Sequence, residues 1–149
     1  MGRLDDIADR VELKDLIDRY CLAADTRDKE GFAAVFTADG VLDVGMELRG
    51  AEQIASPLDY LDLHYLKTMH FVGNHIVDLD GDTATGVVYC LAHHLSEQGT
   101  ELRDTAMTIR YEDTYSRTDA GWRIVRRTLN VDWEEDRTAF PIRGPLSEL

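Results

Sequence analysis

The stretch TMHFVGNHI (residues 68–76) marks the point where the sequence changes to the apolar–polar alternation that is typical of a β-strand. In that alternation His70 lies on the same face as Val72 and Ile76, which is the apolar face. An ionisable ring on a face that packs into a core is costly unless it pairs with another polar group or a ligand. We therefore interpret His70 either as a hydrogen-bonded core residue or as the base of a walled pocket, because imidazole is the natural proton shuttle near neutral pH.

The remainder of the chain continues this pattern. Three further strands are expected at residues 83–95, 102–117 and 122–133. Turn-forming residues precede or separate them at 78–82, 96–100 and 118–121. Strands joined by such short turns form an antiparallel meander, and one face of a meander needs a cover. Residues 134–149, which contain Pro141 and Pro145, are expected to form an irregular tail.

The first half of the chain has helical periodicity instead. Apolar residues recur every three or four positions over residues 4–24. Asp28 is suited to cap a second short helix that carries Phe32, Val35 and Phe36. The other expected elements are a strand at 41–44, a turn at 47–50 and a third helix from Ala51 that Pro57 interrupts or ends.

Helices followed by an antiparallel meander indicate the α+β class. The N-terminal helices are the available cover for the sheet. We expect a single domain over residues 1–149, in which helices pack on a curved, mostly antiparallel sheet that encloses a pocket.

Composition excludes some partners. The net charge of −13 over 149 residues argues against nucleic acid and against anionic membrane surfaces, which both require a basic footprint. Cys21 and Cys90 each lie in an apolar stretch and are expected to be buried free thiols in a reducing compartment. No apolar run is long enough for a membrane span, and the acidic N-terminus lacks a signal peptide's apolar segment, so a cytoplasmic location is expected.

Three further polar residues lie on faces that ought to be apolar. Tyr20 belongs to the apolar stripe of the first helix, and Asp25 ends that helix, where the helix dipole disfavours an anion. Asp25 is therefore either part of a polar loop or the partner of a histidine. In the last strand, alternation groups Arg127 with Val125 and Leu129, so that it forms half of a buried ion pair or binds an anion.

Metal, nucleotide and serine-nucleophile chemistry are not supported. His93 and His94 are adjacent and face opposite sides of a strand, so the two cannot ligate one metal ion. No glycine-rich phosphate loop and no Gly-x-Ser-x-Gly elbow is present.

The chain resembles the SnoaL-like branch of the NTF2-like superfamily, and it is most similar to the group containing scytalone dehydratase, bile acid 7α-dehydratase and lindane dehydrochlorinase. The resemblance implies a cone-shaped α+β fold. It is carried by residues 17–25 with 32–40 (IDRYCLAAD and FAAVFTADG), by residues 69–74 (MHFVGN), and by residues 111–117 with 121–127 (YEDTYSR and GWRIVRR).

The resemblance also implies a set of catalytic residues. Asp25 and His70 match the family's Asp–His pair, in which the aspartate orients the histidine as a base. Tyr20, Arg127 and His94 match positions that stabilise the leaving group or the developing negative charge. The implied reaction is an elimination that needs neither a metal nor another cofactor.

The implied substrate is a small hydrophobic polycyclic or aromatic molecule. The expected lining residues are Leu16, Val35, Leu58, Leu61, Val72, Cys90, Met107, Ile109, Leu129 and Trp133. An isomerase or hydrolase on the same fold, and a non-catalytic binding or association domain, are the alternatives. A homo-oligomer, either dimer or trimer, is also expected, formed through an outer sheet face that carries Trp122, Ile124 and residues such as Tyr111 or Tyr115.

Overall fold

The computed structural model describes residues 2–140 and confirms the α+β class. The elements are α1 (Arg3–Thr26), α2 (Lys29–Ala34), β1 (Phe36–Asp43), β2 (Glu47–Arg49), α3 (Gly50–Ala55), α4 (Pro57–His64), β3 (Lys67–Asp80), β4 (Thr83–Gln98), β5 (Glu101–Thr118) and β6 (Gly121–Ala139). The strands form one curved, open sheet in the order β2-β1-β6-β5-β4-β3. All neighbouring pairs are antiparallel except β1 and β6, which are parallel.

Helix α1 covers the concave face of the sheet and packs on β3 and β6. Its apolar stripe is buried as the periodicity predicts, with Leu13 and Ile17 fully buried. Asp9, near its start, ties the helix to the β5–β6 hairpin. The Asp9 carboxylate accepts hydrogen bonds from Trp122 Nε1 at 3.0 Å and from Arg117 Nη2 at 2.6 Å.

A β-bulge in β3 corrects the predicted face of one residue. The register with β4 shifts between Val72 and His75, so one extra residue enters β3 at this point. His70 and Val72 share a face as predicted, but Ile76 lies on the opposite, convex face and is 53% exposed. His75 points to the concave side in its place.

Two bulges in β6 change the faces in the same way. One lies where Thr114 pairs with Arg126 and Tyr115 with Ile124, so Arg127 shares the buried concave face with Ile124 instead of with Val125. The other lies between Val131 and Trp133, which pair with Ile109 and Thr108 of β5. It turns Trp133 to the convex face, where this residue is 57% exposed.

Two other expectations about β6 and its face are wrong. Residues 134–139 continue β6 and are not an irregular tail, while Pro141 and Pro145 lie outside the described residues. The aromatic and apolar residues expected on the outer face are almost fully buried on the concave side: Tyr111, Tyr115, Trp122 and Ile124. Alternation alone did not distinguish the two faces of these long strands.

Both cysteines, Cys21 and Cys90, are free and buried, as expected. Within residues 2–140, no helix has the length and apolar character that crossing a membrane requires.

Candidate active site

The end of α1 and the start of β3 bring Asp25 and His70 into direct contact. Asp25 Oδ1 lies 2.7 Å from His70 Nδ1, and Asp25 Oδ2 accepts the backbone N–H of His70 at 2.9 Å. The Thr68 hydroxyl donates a third hydrogen bond to Asp25 Oδ1 at 2.8 Å. The contact therefore fixes the orientation of both the carboxylate and the ring.

The electrostatics of Asp25 assign the tautomer of His70. Burial raises the pKa of the Asp25 carboxyl, but the hydrogen bonds from His70 and Thr68 outweigh burial, and the pKa lies below its ordinary value. An ionised carboxylate only accepts hydrogen bonds, so His70 Nδ1 must carry the proton. Nε2 of the neutral ring then has a free lone pair and can act as a base.

His94, on β4, stands beside this pair. It is opposite Thr68 in the register, and its ring lies edge-on to the His70 ring with 5.7 Å between centroids. His94 Nδ1 donates to the carbonyl of Thr105 at 3.1 Å, and burial lowers the pKa of His94. A neutral His94 therefore offers Nε2 as a hydrogen-bond acceptor. The ring of Tyr65, a residue that did not stand out in the sequence, packs against the His94 ring with 4.9 Å between centroids.

Arg127 is half of a buried ion pair. It is fully buried and makes two parallel hydrogen bonds to Asp113, from Nε at 2.8 Å and from Nη2 at 2.6 Å. Its Nη1 has no hydrogen-bond partner among the described residues. Of the two interpretations of Arg127, the buried ion pair with Asp113 is the one that the structure contains.

Tyr20 and Tyr111 hold the guanidinium of Arg127. Each ring centroid lies 4.2 Å from the guanidinium carbon, within the range of a cation–π contact. Burial raises the pKa of Tyr20 to about 12, so its hydroxyl keeps the proton at neutral pH. Tyr20 on α1 and Arg127 on β6 are therefore in direct contact.

Two residues of this network were missed from the sequence. Asp113 alternates with Ile109, Tyr111 and Tyr115, and an acid among apolar residues of one face was a usable signal. His75 lies 3.2 Å from the hydroxyl of Tyr115, which donates to Asp113 at 2.6 Å. The bulge in β3 hid His75, because simple alternation assigns it to the opposite face.

The predicted lining residues separate into three groups. Five of them are packed into the core with 5% exposure or less: Leu16, Val35, Leu58, Cys90 and Ile109. Four remain partly exposed, Leu61 on α4 and three on the concave side of the sheet: Val72, Met107 and Leu129. Trp133 lies on the convex face and does not belong to this side. Of the second group, Val72 and Met107 are neighbours of His70 in the sheet, since Val72 is two residues further along β3 and Met107 pairs with Ala92, the partner of His70.

Two surface cavities lie away from the Asp25–His70 pair. Leu16 and Val35 line a cavity of about 550 Å³ between α1, α2 and the start of β6, whose lining does not include His70. A cavity of about 850 Å³ at the β4–β5 turn is lined by Leu66, Leu95, Leu102 and Phe140. The candidate site is therefore defined by its side-chain geometry and not by the size of a cavity.

Histidine also occurs in a second contact, on the convex face. His93 Nδ1 lies 2.8 Å from Asp104 Oδ2. His93 faces away from the Asp25–His70 pair, because it is adjacent to His94 on β4 and neighbouring residues of a strand point to opposite faces. In residues 2–140, no group of three or more His, Cys, Asp and Glu side chains is arranged to hold a metal ion.

Comparison with known proteins agrees with this architecture. The sequence profile of the SnoaL-like domain matches residues 5–128. An uncharacterized protein of Mycobacterium tuberculosis (strain H37Rv), Rv2910c, is 32% identical over 126 residues, which are 82% of this chain and 84% of the relative.

Two solved structures show the same fold. A type 2 hexachlorocyclohexane dehydrochlorinase superposes with a TM-score of 0.84 at 19% identity, over 97% of this chain and 99% of that one. A provisionally assigned scytalone dehydratase of Novosphingobium aromaticivorans DSM 12444 superposes with a TM-score of 0.79 at 22% identity, over 94% and 97% of the two chains. With its profile match and this fold, the chain belongs to the SnoaL-like family of the NTF2-like superfamily.

Proposed function

We propose that this protein is a cofactor-independent lyase that catalyses a dehydratase-type elimination. The observation that carries the proposal is the 2.7 Å contact between Asp25 Oδ1 and His70 Nδ1, which leaves Nε2 of His70 as a base. Family membership supports it, because similar structures include a dehydrochlorinase and a protein provisionally assigned as a dehydratase.

In the proposed reaction His70 Nε2 removes a proton from a carbon activated by a neighbouring carbonyl or similar group. The electron pair of that C–H bond forms the new double bond, and the leaving group departs from the adjacent carbon with its bonding pair. A hydroxide leaving group needs a proton, which Tyr20 can donate because it stays protonated. The Arg127 guanidinium, whose carbon lies 4.2 Å from the centroid of the Tyr20 ring, would stabilise the negative charge that Tyr20 acquires when it donates this proton.

The proposed substrate is small, hydrophobic and without a strong negative charge. Three partly exposed side chains on the concave side are apolar, Val72, Met107 and Leu129, and Leu61 on α4 is a fourth partly exposed apolar residue. Arg127 is fully buried and already neutralised by Asp113, so it offers little net attraction for an anion. Aromatic or polycyclic β-hydroxy and β-halo carbonyl compounds meet these requirements.

The direct test is a screen of such compounds by the ultraviolet absorbance of the conjugated product, with a matched pair of histidine variants. We expect His70→Ala to lower kcat at least about 10²-fold, because the base is removed. His93→Ala, which removes the other aspartate-bonded histidine, should turn over like the unaltered protein. Full activity of His70→Ala would overturn the proposal. Exchange of substrate hydrogen in D₂O without elimination would instead identify an isomerase.

We also propose that the protein forms a homo-oligomer through the convex face of the sheet. Phe71, Leu91 and Trp133 lie in one row across β3, β4 and β6 and are 64, 50 and 57% exposed. Contiguous exposed apolar surface of this kind is typical of an interaction site. Light scattering should report a dimer or trimer that Leu91→Glu dissociates. Leu22→Glu, at an equally apolar exposed position on α1, should not; a monomeric unaltered protein would contradict the proposal.

A cytoplasmic location is part of the proposal as well. Its support is the pair of free, buried cysteines, which fits a reducing compartment. Fractionation of cells that express the full chain, with detection by antibody, tests it. Recovery outside the cytoplasmic fraction would overturn it.

A further inference from the structure

Arg27 occupies a backbone conformation that its side chain makes unfavourable. Its φ is 59° and its ψ is 29°, and among residues 2–140 it is the one non-glycine residue with positive φ. Glycine or asparagine adopts this left-handed conformation more readily, because a larger side chain places Cβ close to the backbone. The contacts of the Arg27 side chain must therefore offset the cost of this backbone conformation.

The guanidinium of Arg27 joins three elements around the Asp25–His70 pair. Nη1 donates to the carbonyl of Ala24 at 2.6 Å and to the hydroxyl of Thr68 at 2.8 Å. Nη2 lies 3.4 Å from the carbonyl of Leu61, at the outer limit of a hydrogen bond. These contacts connect the last turn of α1, which holds Asp25, with β3, which holds His70, and with α4.

The contact with Thr68 determines where the hydroxyl proton points. A hydroxyl has one proton to donate, and Arg27 occupies one of its acceptor lone pairs. The proton is then directed to Asp25 Oδ1, 2.8 Å away, which is the same oxygen that accepts His70 Nδ1–H. Arg27, Thr68, Asp25 and His70 thus form a continuous chain of hydrogen bonds.

Arg27 also offsets an unfavourable charge. Asp25 lies in the last turn of α1, where exposed carbonyl groups give the helix end a partial negative charge. The helix has no basic residue in that last turn. The guanidinium of Arg27 lies against the Ala24 carbonyl and supplies the positive charge from just beyond the helix end.

We propose that Arg27 is a positioning residue, which holds the Thr68 hydroxyl on Asp25 and thereby keeps the carboxylate aligned with His70 Nδ1. This inference rests on the proposed role of the Asp25–His70 pair. Arg27 does not act on the substrate in this scheme. Its effect passes through Thr68, and that route can be tested without knowing the substrate.

The test is a double-mutant cycle with Arg27→Gly and Thr68→Val, read by NMR. Glycine removes the side chain and suits the left-handed backbone, and valine is nearly isosteric with threonine. The readouts are the Asp25 carboxyl pKa, followed by ¹³C, and the exchange rate of the His70 Nδ1 proton, followed by ¹⁵N. We expect each single variant to raise the Asp25 pKa: Thr68→Val removes the hydroxyl that donates to the carboxylate, and Arg27→Gly releases that hydroxyl from its orientation. The double variant should show no further rise, because both changes break one chain.

Two additional variants control the test. Arg19→Ala removes an exposed arginine of the same helix that pairs with Asp15, and it should leave the Asp25 pKa unchanged. Arg27→Lys keeps the charge but cannot make all the contacts of the planar fork, so it should recover part of the effect. It also provides a reading if Arg27→Gly does not fold.

The outcomes separate this inference from the proposed function. An unchanged Asp25 pKa and His70 exchange rate in Arg27→Gly overturn the inference, as do additive effects of Arg27→Gly and Thr68→Val. Both leave the proposed function intact. Full activity of His70→Ala overturns the proposed function but does not alter the NMR result. With a substrate in hand, Arg27→Gly should lower kcat, expressed per folded molecule, about tenfold with KM nearly unchanged.

Discussion

Each face of the sheet carries one histidine–aspartate pair and one arginine–aspartate pair, and the surroundings of these pairs differ between the faces. On the concave face His70 meets Asp25 at 2.7 Å, and on the convex face His93 meets Asp104 at 2.8 Å. The side chain of His70 is 8% exposed and that of His93 is 38% exposed. The distance between histidine and aspartate is therefore nearly equal, and the surroundings make the difference.

The aspartates differ in how their oxygens are used. Both oxygens of Asp25 accept hydrogen bonds, including one from the backbone of His70, so the carboxylate cannot rotate without breaking a bond. Asp104 Oδ2 is shared between His93 and Arg137, which lies 3.2 Å away, and its Oδ1 has no partner among residues 2–140. The concave pair is held in one geometry, whereas the convex pair is one member of a surface charge cluster.

The arginine–aspartate pairs follow the same division. Arg127 and Asp113 are fully buried on the concave side, and Arg110 and Asp132 form an equally close two-bond contact on the convex side, at 2.7 Å and 2.7 Å. Solvent screens the second pair and not the first. Pairing alone therefore does not identify a functional group.

The largest effect is expected on catalysis. Asp25→Asn should lower kcat by about 10² to 10⁴-fold, because an amide no longer fixes the Nδ1–H tautomer of His70. Asp104→Asn is the matched change on the convex face, and its steady-state kinetics should equal those of the unaltered protein. Equal losses in both variants would remove the distinction between the faces.

The next largest effect is on stability. Asp113→Asn should lower the free energy of unfolding by about 3–5 kcal/mol, because it leaves the buried Arg127 charge uncompensated. Asp132→Asn makes the same change in the exposed pair and should leave urea unfolding unchanged within the precision of the measurement. A small effect of Asp113→Asn would mean that water reaches Arg127.

A smaller effect depends on pH. The pKa of Asp25 in the folded protein lies below its ordinary value of 3.8, so ionised Asp25 stabilises the fold above that value and loses this contribution as the pH falls through the folded pKa. Urea unfolding should therefore show Asp25→Asn less stable than the unaltered protein at pH 6, with a difference that disappears as the pH falls below 3.8. A difference that persists in acid would assign the effect to packing.

The smallest expected effect is a difference between the two faces in how strongly salt reduces the stability contribution of each pair. The pKa of the Asp104 carboxyl is also lowered, since hydrogen bonds from His93 and Arg137 outweigh the effect of burial. At 1 M NaCl the screening length is about 3 Å, so the contribution of the more exposed convex pair should decrease. The stability difference caused by Asp104→Asn should shrink in salt more than that caused by Asp25→Asn. The reverse order would contradict the assigned burial.

The order of elements could be predicted because each depends on local periodicity. Helix α1 was expected over residues 4–24 and spans Arg3–Thr26, and the four long strands appear in their expected order. Bulges could not be predicted, since one added residue leaves the alternation on either side intact and changes only their relative phase. This is why Ile76 was assigned to the wrong face, why Trp133 was placed in the pocket, and why His75 was missed.

The site was predictable in part for a similar reason. Asp25 and His70 stood out as polar groups at unfavourable positions, and the resemblance to a family joined them across 45 residues of sequence. Arg27 did not stand out, because its left-handed backbone and its contact with Thr68 are properties of the folded chain. Local pattern identifies a costly residue, but only the tertiary structure shows which residues offset the cost.

The link between Asp9 and the last hairpin has a consequence for biosynthesis. Asp9 bonds Trp122, which lies 113 positions later in the chain. A ribosome needs on the order of 10 seconds to synthesise that interval, at about 5–20 residues per second. Until β6 is made, α1 can pack on β3 but not on β6, so part of its apolar stripe stays uncovered, and such a surface is a natural substrate for a chaperone. Because Arg127 on β6 arrives still later, the candidate site becomes complete only after this part of β6 has been synthesised, and any turnover reports a chain whose sheet includes β6.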